Sequence, residues 1–248
     1  MRAMILAAGL GTRLRPLTDN RPKALVEVAG HTLLETTLRR LREFGIGEVI
    51  VNVHHFSDML VDYLKQNDDF GMQVAISREA ELLDTGGGLK KASWFFSEDA
   101  ADGEPFLLHN VDVLSTIDLG RMVEFHRQHQ ALATLAVQDR ESSRYLLFDE
   151  EHRLCGRQAG RQKPPEMVRP SESTKTLAFS GVHVISPRFL SLMTEQGVFS
   201  IIASYLRLAG QREKIMAFRA DAYYWRDLGK PENLVQAEQD VNNHLLKL

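Results

Sequence analysis

A stretch near the N-terminus combines glycines with cationic side chains, and it reads LAAGLGTRLRPLTDNRPK over residues 6–23. Gly9 and Gly11 would let the backbone approach a bound group and expose its N–H donors. Four cations accompany them: Arg13, Arg15, Arg21 and Lys23. Amide donors together with positive charge are what a triphosphate requires. The spacing alone also fits a tight turn whose arginines are solvated.

The glycine spacing differs from that of two common phosphate-binding loops. A dinucleotide-binding loop has a third glycine where this chain has Leu14, and a Walker loop needs Gly-Lys-Ser/Thr, a run that the sequence does not contain. Pro16 and Pro22 instead favour an extended loop that folds over its ligand.

Two distant aspartates have a metal-binding interpretation. Asp112 closely follows the apolar run 106–108, and Asp227 comes just before Leu228 and Gly229. Each is expected near the carboxyl end of a strand, where parallel sheets collect ligands. Phosphoryl transfer uses a divalent ion, and magnesium is commonly held by one or two carboxylates. Taken alone, either aspartate also fits a helix cap or a turn.

Taken whole, residues 6–25 resemble the signature of the sugar-1-phosphate nucleotidyltransferases. That signature reads Leu-Ala-Ala-Gly-x-Gly-Thr-Arg-Leu-x-Pro-Leu-Thr, followed by Pro-Lys-Ala-Leu, and every fixed position is present. The resemblance implies a Rossmann-like nucleotidyltransferase fold, magnesium (Mg2+) as the cofactor, and two substrates, a nucleoside triphosphate and a sugar 1-phosphate. The sugar phosphate would attack the α-phosphate and release pyrophosphate.

The same resemblance assigns roles within the segment. Arg13 would meet the β- and γ-phosphates and Lys23 would lie near the reacting phosphates, so both are predicted catalytic residues. The residues of the segment predicted to bind nucleotide are Leu6, Ala7, Ala8, Gly9, Gly11, Thr12 and Arg13.

The resemblance also covers the two aspartates. Family members carry Gly-Asp after a central strand and Asp-x-Gly-Thr-Pro before the last helix, and these aspartates bind the metal. Asp112 and Asp227 match them and are the predicted magnesium ligands. Val111 stands where the family has glycine and Lys230 where it has threonine, which leaves the shape of both turns open.

Further residues are carried over to the base and the sugar. Thr85, Gly86 and Gly87 lie in a glycine-rich segment that is predicted to contact the nucleobase, although a flexible turn explains it equally well. Asn110, Gly181 and Lys163 are predicted on the sugar side. The family's Glu-Lys-Pro is not reproduced around Lys163, so Lys175 is an alternative for holding the sugar phosphate.

Alternating elements must position these residues. Up to residue 137, apolar runs alternate with amphipathic stretches, which predicts βαβ units and an α/β fold with a mostly parallel central sheet and helices on both faces. The predicted strands are 3–6, 48–53, 73–77, 106–110 and 133–137. The predicted helices are 32–44, 57–65 with Ser57 as its cap, 87–96 and 118–129.

The pattern changes after residue 137. A hairpin over 145–154, a polar mobile loop over 156–173 and a strand over 177–185 are predicted. Helices at 187–193 and 200–209, strands at 214–219 and 223–227, and a helix from Pro231 should follow. We expect one domain over 1–248, with a nucleotide-binding half (1–137), a sugar-binding half with a small β subregion (138–230) and a C-terminal helix (231–248).

Composition bounds the remaining possibilities. The 248 residues are 44% hydrophobic, enough for a large core, and the net charge of −3 argues against a nucleic-acid partner. One cysteine, Cys155, forms no intrachain disulfide, and no run approaches the ~20 apolar residues of a membrane span. A cytoplasmic protein without a membrane partner, as monomer or homodimer, is expected.

Several alternatives stay open. The base and the sugar are undetermined, with a guanylyl- or uridylyltransferase expected. Choline phosphate or a similar alcohol phosphate would instead need a cage, to which Tyr223, Tyr224 and Trp225 could contribute. A catalytically silent subunit should have lost a predicted catalytic residue or metal ligand, and none is lost. The adjacent His54 and His55 do not favour a zinc site, because neighbours on a strand point to opposite faces.

Overall fold

The computed structural model describes residues 1–97 and 103–246. The strands up to residue 138 are β1 (Arg2–Leu6), β2 (Glu27–Val28), β3 (His31–Thr32), β4 (Glu48–Val53), β5 (Gln73–Arg78), β6 (Phe106–Asn110), β7 (Val113–Ser115) and β8 (Ala133–Gln138). The helices between them are α1 (Leu33–Glu43), α2 (Ser57–Gln66), α3 (Asp84–Lys91), α4 (Trp94–Ser97) and α5 (Leu119–His129). Short 3-10 turns lie at Thr12–Leu14, Lys23–Leu25 and Asp68–Gly71.

The rest of the chain adds six strands and three helices to the described part. The strands are β9 (Tyr145–Phe148), β10 (Leu154–Gln158), β11 (Glu166–Met167), β12 (Lys175–Ile185), β13 (Ile215–Arg219) and β14 (Trp225–Asp227). The helices are α6 (Arg188–Ser191), α7 (Ile201–Gly210) and α8 (Pro231–Asn242). Residues 247 and 248 of the predicted C-terminal segment lie outside the described residues.

One large sheet runs through both halves in the order β5-β4-β1-β6-β12-β9-β10-β11, and β8 and β13 extend it from β12. The pairs β5–β4, β4–β1 and β1–β6 are parallel. The antiparallel pairs gather around β12, which contacts β6, β8 and β9. The predicted α/β class with a mostly parallel central sheet is confirmed, and the antiparallel part coincides with the predicted change of pattern after residue 137.

Alternation along the central strands builds a core on each face of the sheet. In β4, Val49 and Val51 belong to one apolar cluster and Ile50 to the other. The first cluster packs under α1, α2, α5 and α8, and the second under α3, α4 and α7. The period of two in the strands therefore produces a three-layer molecule.

Four local expectations need correction. Ser57 is the first residue of α2 rather than its cap, because Phe56 precedes it in a left-handed conformation and no side chain caps the helix. The predicted helix 87–96 begins earlier, at Asp84, and is interrupted after Lys91, so two helices replace one.

The other two corrections lie after residue 137. Part of the predicted loop 156–173 is ordered as β10 and β11, which pair with each other. The predicted helix 187–193 shortens to Arg188–Ser191. Within the described residues, none of the helices combines the length and the apolar character that a membrane span needs.

Candidate active site

The carboxyl ends of three parallel strands meet at one edge of the sheet. Leu6 of β1 lies beside Asn52 of β4 on one side and Asn110 of β6 on the other. The glycine-and-arginine turn leaves β1 at this point. Topology therefore delivers the turn to the ligand-binding edge of the parallel sheet.

The turn depends on a glycine and a buried leucine. Gly11 has φ +65°, and a Cβ there would lie 2.9 Å from Thr18 Cγ2 and 3.0 Å from Lys23 Cβ. Thr18 Oγ1 donates to the Gly11 carbonyl at 2.9 Å, which closes the loop. Leu14 is fully buried, whereas Arg13 and Arg15 on either side are exposed. Anchoring Leu14 thus turns the neighbouring guanidinium groups outward.

Lys23 forms an ion pair with Asp112. Its ammonium contacts the Asp112 Oδ2, and only 8% of Lys23 is exposed. Lys23 lies at the start of a 3-10 turn, and Asp112 lies between β6 and β7. A residue of the signature turn and a predicted metal ligand are therefore in direct contact.

A small two-stranded sheet brings the second aspartate to the first. β14 pairs with β7 so that Asp227 stands opposite Val113, and the amide of Leu228 donates to the Asp112 carbonyl at 2.7 Å. Asp227 Oδ1 accepts from the amide of Gly229 at 2.9 Å. The backbones of the two predicted metal ligands are thus adjacent, although 114 residues lie between them in the chain.

Arg13 lies beside Asp227. A Cβ added to Gly229 would lie 2.5 Å from Arg13 Nη2 and 2.8 Å from Asp227 Oδ1, so the guanidinium and the carboxylate flank one glycine. The absence of a side chain at residue 229 is what allows the cation to approach.

A cavity of about 360 Å³ opens at this edge. Residues 6–9 form one wall, Lys23 and Asp112 lie at one end, and Asp84 and Thr85 lie on another side. Of the predicted nucleotide-binding residues, Leu6, Ala7, Ala8, Gly9 and Thr85 line it. Gly11 and Thr12 lie in the turn behind, and Arg13 lines the neighbouring cavity.

Gly86 and Gly87 serve packing in this structure. Both amides donate to the Phe199 carbonyl, at 2.9 and 3.2 Å. A Cβ on Gly86 would overlap the Phe199 ring, and one on Gly87 would lie 2.5 Å from the Gly197 carbonyl oxygen. Their contact with a nucleobase stays a prediction.

Thr85 is also tied to the second half of the chain. Its Oγ1 accepts from the Ile201 amide at 3.0 Å, at the N-terminus of α7. Its hydroxyl hydrogen can still be donated to a ligand, because an acceptor role uses only a lone pair.

A second cavity, of about 920 Å³, adjoins the first and shares Asn110 with it. Gly181, Asp227 and Trp225 also line it. Gly181 has φ +75°, and a Cβ would collide with Val113 Cγ2 at 2.6 Å. Asn110 Oδ1 is buried without a hydrogen-bond partner in the described structure, so an acceptor is available where the two cavities meet.

Sequence reasoning missed Arg140, which lines the second cavity. Its guanidinium stacks on Trp225 at 3.5 Å from the ring centroid, and its Nη2 donates to the Phe179 carbonyl at 2.8 Å. Burial lowers the pKa of Arg140, against the opposing effect of Asp227. Its only sequence signal was its place just after the predicted strand 133–137.

Lys163 and Lys175 are both exposed, and neither lines the second cavity. The Lys163 carbonyl accepts from Gln158 Nε2 at 2.6 Å. A role for either lysine in holding the sugar phosphate stays a prediction.

The histidine nearest the aspartates is buried and neutral. Burial, followed by the charge of Arg40, lowers the pKa of His109 to about 4. Its Nδ1 contacts the Asn110 carbonyl at 2.8 Å. Among residues 1–97 and 103–246, His, Cys, Asp and Glu side chains form no group of three or more that could hold a metal. The pair Asp112 and Asp227 falls below that number.

Comparison with known proteins gives a consistent set of similarities. The model of the family described as nucleotidyl transferase matches residues 2–244. The N-acetylmuramate alpha-1-phosphate uridylyltransferase of Caulobacter vibrioides is 32% identical over 243 residues, which are 95% of this chain and 95% of that protein. The mannose-1-phosphate guanylyltransferase catalytic subunit beta of Drosophila pseudoobscura pseudoobscura is 32% identical over 94% of this chain.

The match differs in extent between relatives. The chain spans 60% of the length of that Drosophila protein and 62% of a mannose-1-phosphate guanyltransferase of Yarrowia lipolytica. A crystal structure described as a putative glucose-1-phosphate thymidylyltransferase from Bacillus anthracis superposes with a TM-score of 0.80 at 16% identity, over 100% of this chain and 98% of that one. The last similarity concerns the fold alone.

Proposed function

The chain belongs to the nucleotidyl transferase family, and from this we propose that it condenses a nucleoside triphosphate with a sugar 1-phosphate to give a nucleotide-sugar and pyrophosphate. The observation that carries the proposal is the ion pair of Lys23 with Asp112, together with the position of Arg13 and Asp227 around Gly229, at one edge of the sheet. Cations and carboxylates from distant parts of the chain converge there on two adjoining cavities.

The two cavities support two substrates that react where the cavities meet. The smaller cavity has the backbone of residues 6–9 and suits the nucleotide, whereas the larger one, with Gly181 and Arg140, suits the sugar phosphate. Asn110 lines both. The two substrates would thus meet near Asn110, and in-line displacement requires the sugar phosphate to approach the α-phosphate from the side opposite the leaving pyrophosphate.

The proposed reaction does not require a residue that removes a proton from the attacking oxygen. A phosphate monoester has a second pKa of about 6, so the attacking oxygen is largely ionised near neutral pH. No general base is needed, and His109, neutral and buried with a pKa of about 4, is not required as one. Catalysis would come from positioning and from positive charge around the phosphates, supplied here by Arg13 and Lys23.

Asp112 and Asp227 fit a magnesium site. Both offer hard carboxylate oxygens, the donor type that magnesium prefers. Each has one oxygen engaged with a protein donor, Asp112 with Lys23 and Asp227 with the Gly229 amide, which leaves a second oxygen for a metal. Magnesium held by these two aspartates would supply positive charge that offsets the charge of the phosphates.

One relative bears directly on which nucleobase and which sugar the protein uses. The Caulobacter relative matched over 95% of its own length is named for N-acetylmuramate 1-phosphate and uridylyl transfer. The guanylyltransferases are matched over about three fifths of theirs. We therefore propose UTP as the first triphosphate to test, with GTP as the alternative.

The arrangement of aromatic side chains weighs against choline phosphate. One face of Trp225 already carries the Arg140 guanidinium. Tyr224 Oη donates to Asp240, and Tyr223 stacks on Phe218. The three rings thus have different partners and do not enclose one space for an ammonium group. A silent subunit is disfavoured because Arg13, Lys23, Asp112 and Asp227 are all present.

The test is a pyrophosphate-release screen. Purified protein with magnesium is offered UTP, GTP, CTP and dTTP against a panel of sugar 1-phosphates that includes N-acetylmuramate 1-phosphate, with choline phosphate as a further acceptor. We expect release that requires both a triphosphate and a sugar 1-phosphate. Release with choline phosphate alone, or with none of the sugars, would contradict the proposal.

A further inference from the structure

A buried chain of hydrogen bonds links the turn after β1 to the loop before α3. The amide of Ala7 donates to Asn52 Oδ1 at 2.7 Å, and Asn52 Nδ2 donates to Glu79 Oε1 at 2.7 Å. Glu79 Oε2 accepts from the Leu83 amide at 3.0 Å. Asn52 is 3% exposed and Glu79 is 5% exposed. Two side chains therefore connect two loops that line the smaller cavity.

The surrounding structure makes room for this pair. Gly88 of α3 faces it, and a Cβ there would lie 2.7 Å from Glu79 Oε1 and 2.8 Å from Asn52 Nδ2. Any larger residue at position 88 would displace one of the two polar groups. The pair is thus enclosed between the ends of β4 and β5 and the buried side of α3.

The electrostatics exclude phosphate binding by Glu79. Across the described residues, no Lys, Arg or His side chain forms an ion pair with this carboxylate, and His54 Nδ1 contacts only the Glu79 backbone carbonyl. Glu79 lines the smaller cavity, where its carboxylate would repel the phosphates of a triphosphate. Its two amide donors instead make charge-assisted hydrogen bonds, which are stronger than neutral ones.

The hydrogen bonds of Asn52 and Glu79 also run in one defined order of donors and acceptors. Ala7 needs an acceptor and Glu79 needs a donor, and the amide side chain of Asn52 supplies one of each. Leu83 in turn needs the second oxygen of Glu79. Replacing either side chain by its acid or amide counterpart places two like groups against each other.

We propose that Asn52 and Glu79 are positioning residues, which fix the Ala7 amide and the Leu83 amide at the start of α3 relative to each other. The phosphate end and the base end of a bound nucleotide would then be held at a set separation. This inference rests on the proposed function, since it concerns the triphosphate cavity of that reaction.

A reciprocal substitution tests the proposal. In Asn52→Asp, two carboxyl groups face each other, and in Glu79→Gln one of the two amide donors meets an NH₂ group. The double variant restores every partner. The new carboxylate at position 52 accepts from both the Ala7 amide and the new side-chain amide at position 79, whose oxygen accepts from Leu83. The total charge is also unchanged.

We expect each single substitution to raise the KM for the triphosphate about ten- to a hundredfold, the effect of leaving one buried polar group unpaired. The KM for the sugar 1-phosphate should change by less than about threefold, and the double variant should return to within about threefold of the unsubstituted protein. A double variant as impaired as the two single effects combined would overturn the proposal.

Amide exchange measured by NMR provides a readout that needs no substrate. Exchange at Ala7 and Leu83 should accelerate in both single variants and slow again in the double variant. Ser77→Ala is the matched control, because Ser77 lies beside Asn52 in the sheet and its buried hydroxyl has no partner among the described residues. It should leave both amides protected.

The kinetic and the amide-exchange measurements distinguish a failure of the proposed function from a failure of the positioning role. If the unsubstituted protein releases no pyrophosphate with any two substrates, the proposed function fails. Amide exchange at Ala7 and Leu83 still tests the roles of Asn52 and Glu79 in that case. If the single variants unfold and the double variant folds, the pairing is supported. If exchange at both amides is unaffected by the single substitutions, or the double variant also unfolds, the positioning role is wrong.

Discussion

Among the individual residues, the site places two cations next to two carboxylates, one couple as an ion pair and the other around a shared glycine. Lys23 is paired with Asp112, and Arg13 flanks the same glycine as Asp227. Lys23 is almost buried, so its partner offsets the cost of removing its charge from water. In the proposed reaction, the negative charge of a triphosphate and the positive charge of a divalent ion would replace the partners that Lys23 and Asp112 now give each other.

Arg13→Ala tests the triphosphate contact. The guanidinium is exposed and lies beside Asp227, where it can donate to phosphate oxygens. Losing charge-assisted hydrogen bonds should weaken triphosphate affinity about ten- to a hundredfold, as measured by calorimetry. Arg15→Ala is the control, because Arg15 is also exposed on the same turn but pairs with Asp19. Equal affinities for Arg13→Ala and the unsubstituted protein would exclude the contact.

Arg140→Gln tests the sugar side. The guanidinium is held by Trp225 and Phe179 and lies in the larger cavity. We expect the KM for the sugar 1-phosphate to rise about tenfold or more, because a cation facing the phosphate is lost, with a smaller effect on the triphosphate. Lys163→Gln and Lys175→Gln serve as comparisons. A larger effect from either lysine would assign the sugar phosphate to that lysine instead.

Among the secondary-structure elements, α3 and α7 are joined through a glycine-lined contact. The amides of Gly86 and Gly87 donate to the Phe199 carbonyl, and the Phe199 amide donates to the Leu83 carbonyl. Val198, next to Phe199, lines the smaller cavity, while Ser200 lines the larger one. One short segment therefore contributes to both cavities and to the contact between the two helices.

Gly86→Ala should destabilise this contact. The added methyl would overlap the Phe199 ring and lie 2.9 Å from the Ile201 amide nitrogen. Overpacking of this kind costs about 1–3 kcal/mol, which corresponds to a fall of about 2–12 °C in Tm for a chain of this length. Thermal unfolding followed by circular dichroism measures it.

Gly47→Ala is the control for that measurement. Apart from its two chain neighbours, no atom of the described residues lies within 4 Å of a Cβ built at Gly47, and its φ is not in the left-handed region. Its Tm should match that of the unsubstituted protein. A Gly86→Ala variant as stable as the Gly47→Ala variant would show that the glycine is not needed for packing.

The elements also show how far the sequence could be interpreted. The α/β class and the family resemblance are confirmed, because the strand pattern and the signature segment are local features of the chain. The start of α3 was predicted too late, since consecutive glycines also indicate a turn, and the contacts of Gly86 and Gly87 with residues 197–201 are not visible in the sequence.

Site residues outside motifs were harder to predict. Asn52 lies within an apolar run, Glu79 and Arg140 follow apolar runs at a distance of two or three residues, and nothing in their immediate neighbours distinguishes them. Their roles depend on strand register and on contacts across the sheet edge. The roles carried over to Gly86, Gly87 and Lys163 stay predictions, as do the magnesium and the oligomeric state.

Across the whole molecule, three buried histidines make stability depend on pH. Burial is the main cause that lowers the pKa of His109 and of His126 to about 4 and that of His183 to about 3. Each is neutral in the folded state, whereas in the unfolded chain it binds a proton below about pH 6.5. Stability from these residues is therefore complete above about pH 6.5 and is lost as pH falls toward 4.

Thermal unfolding between pH 7.5 and 4.5 measures this dependence. We expect Tm to fall steadily below pH 6.5. His126→Gln should reduce the dependence of the free energy of unfolding on pH by the equivalent of about one bound proton, because one titrating group is removed. His55→Gln is the control, since His55 is exposed. Equal slopes for His126→Gln and His55→Gln would show that burial of His126 does not drive the acid sensitivity.

The proposed reaction depends above all on joining distant parts of the chain into one catalytic centre, and Asp112→Asn probes that junction. Asparagine keeps the shape and an acceptor for Lys23 but removes the charge that a magnesium ion needs. With Asp19→Asn on the exposed part of the turn as control, pyrophosphate release by Asp112→Asn should fall about a hundredfold to a thousandfold while the circular dichroism spectrum of the folded protein is retained. Turnover within about threefold of the unsubstituted protein would show that Asp112 takes no part in the reaction.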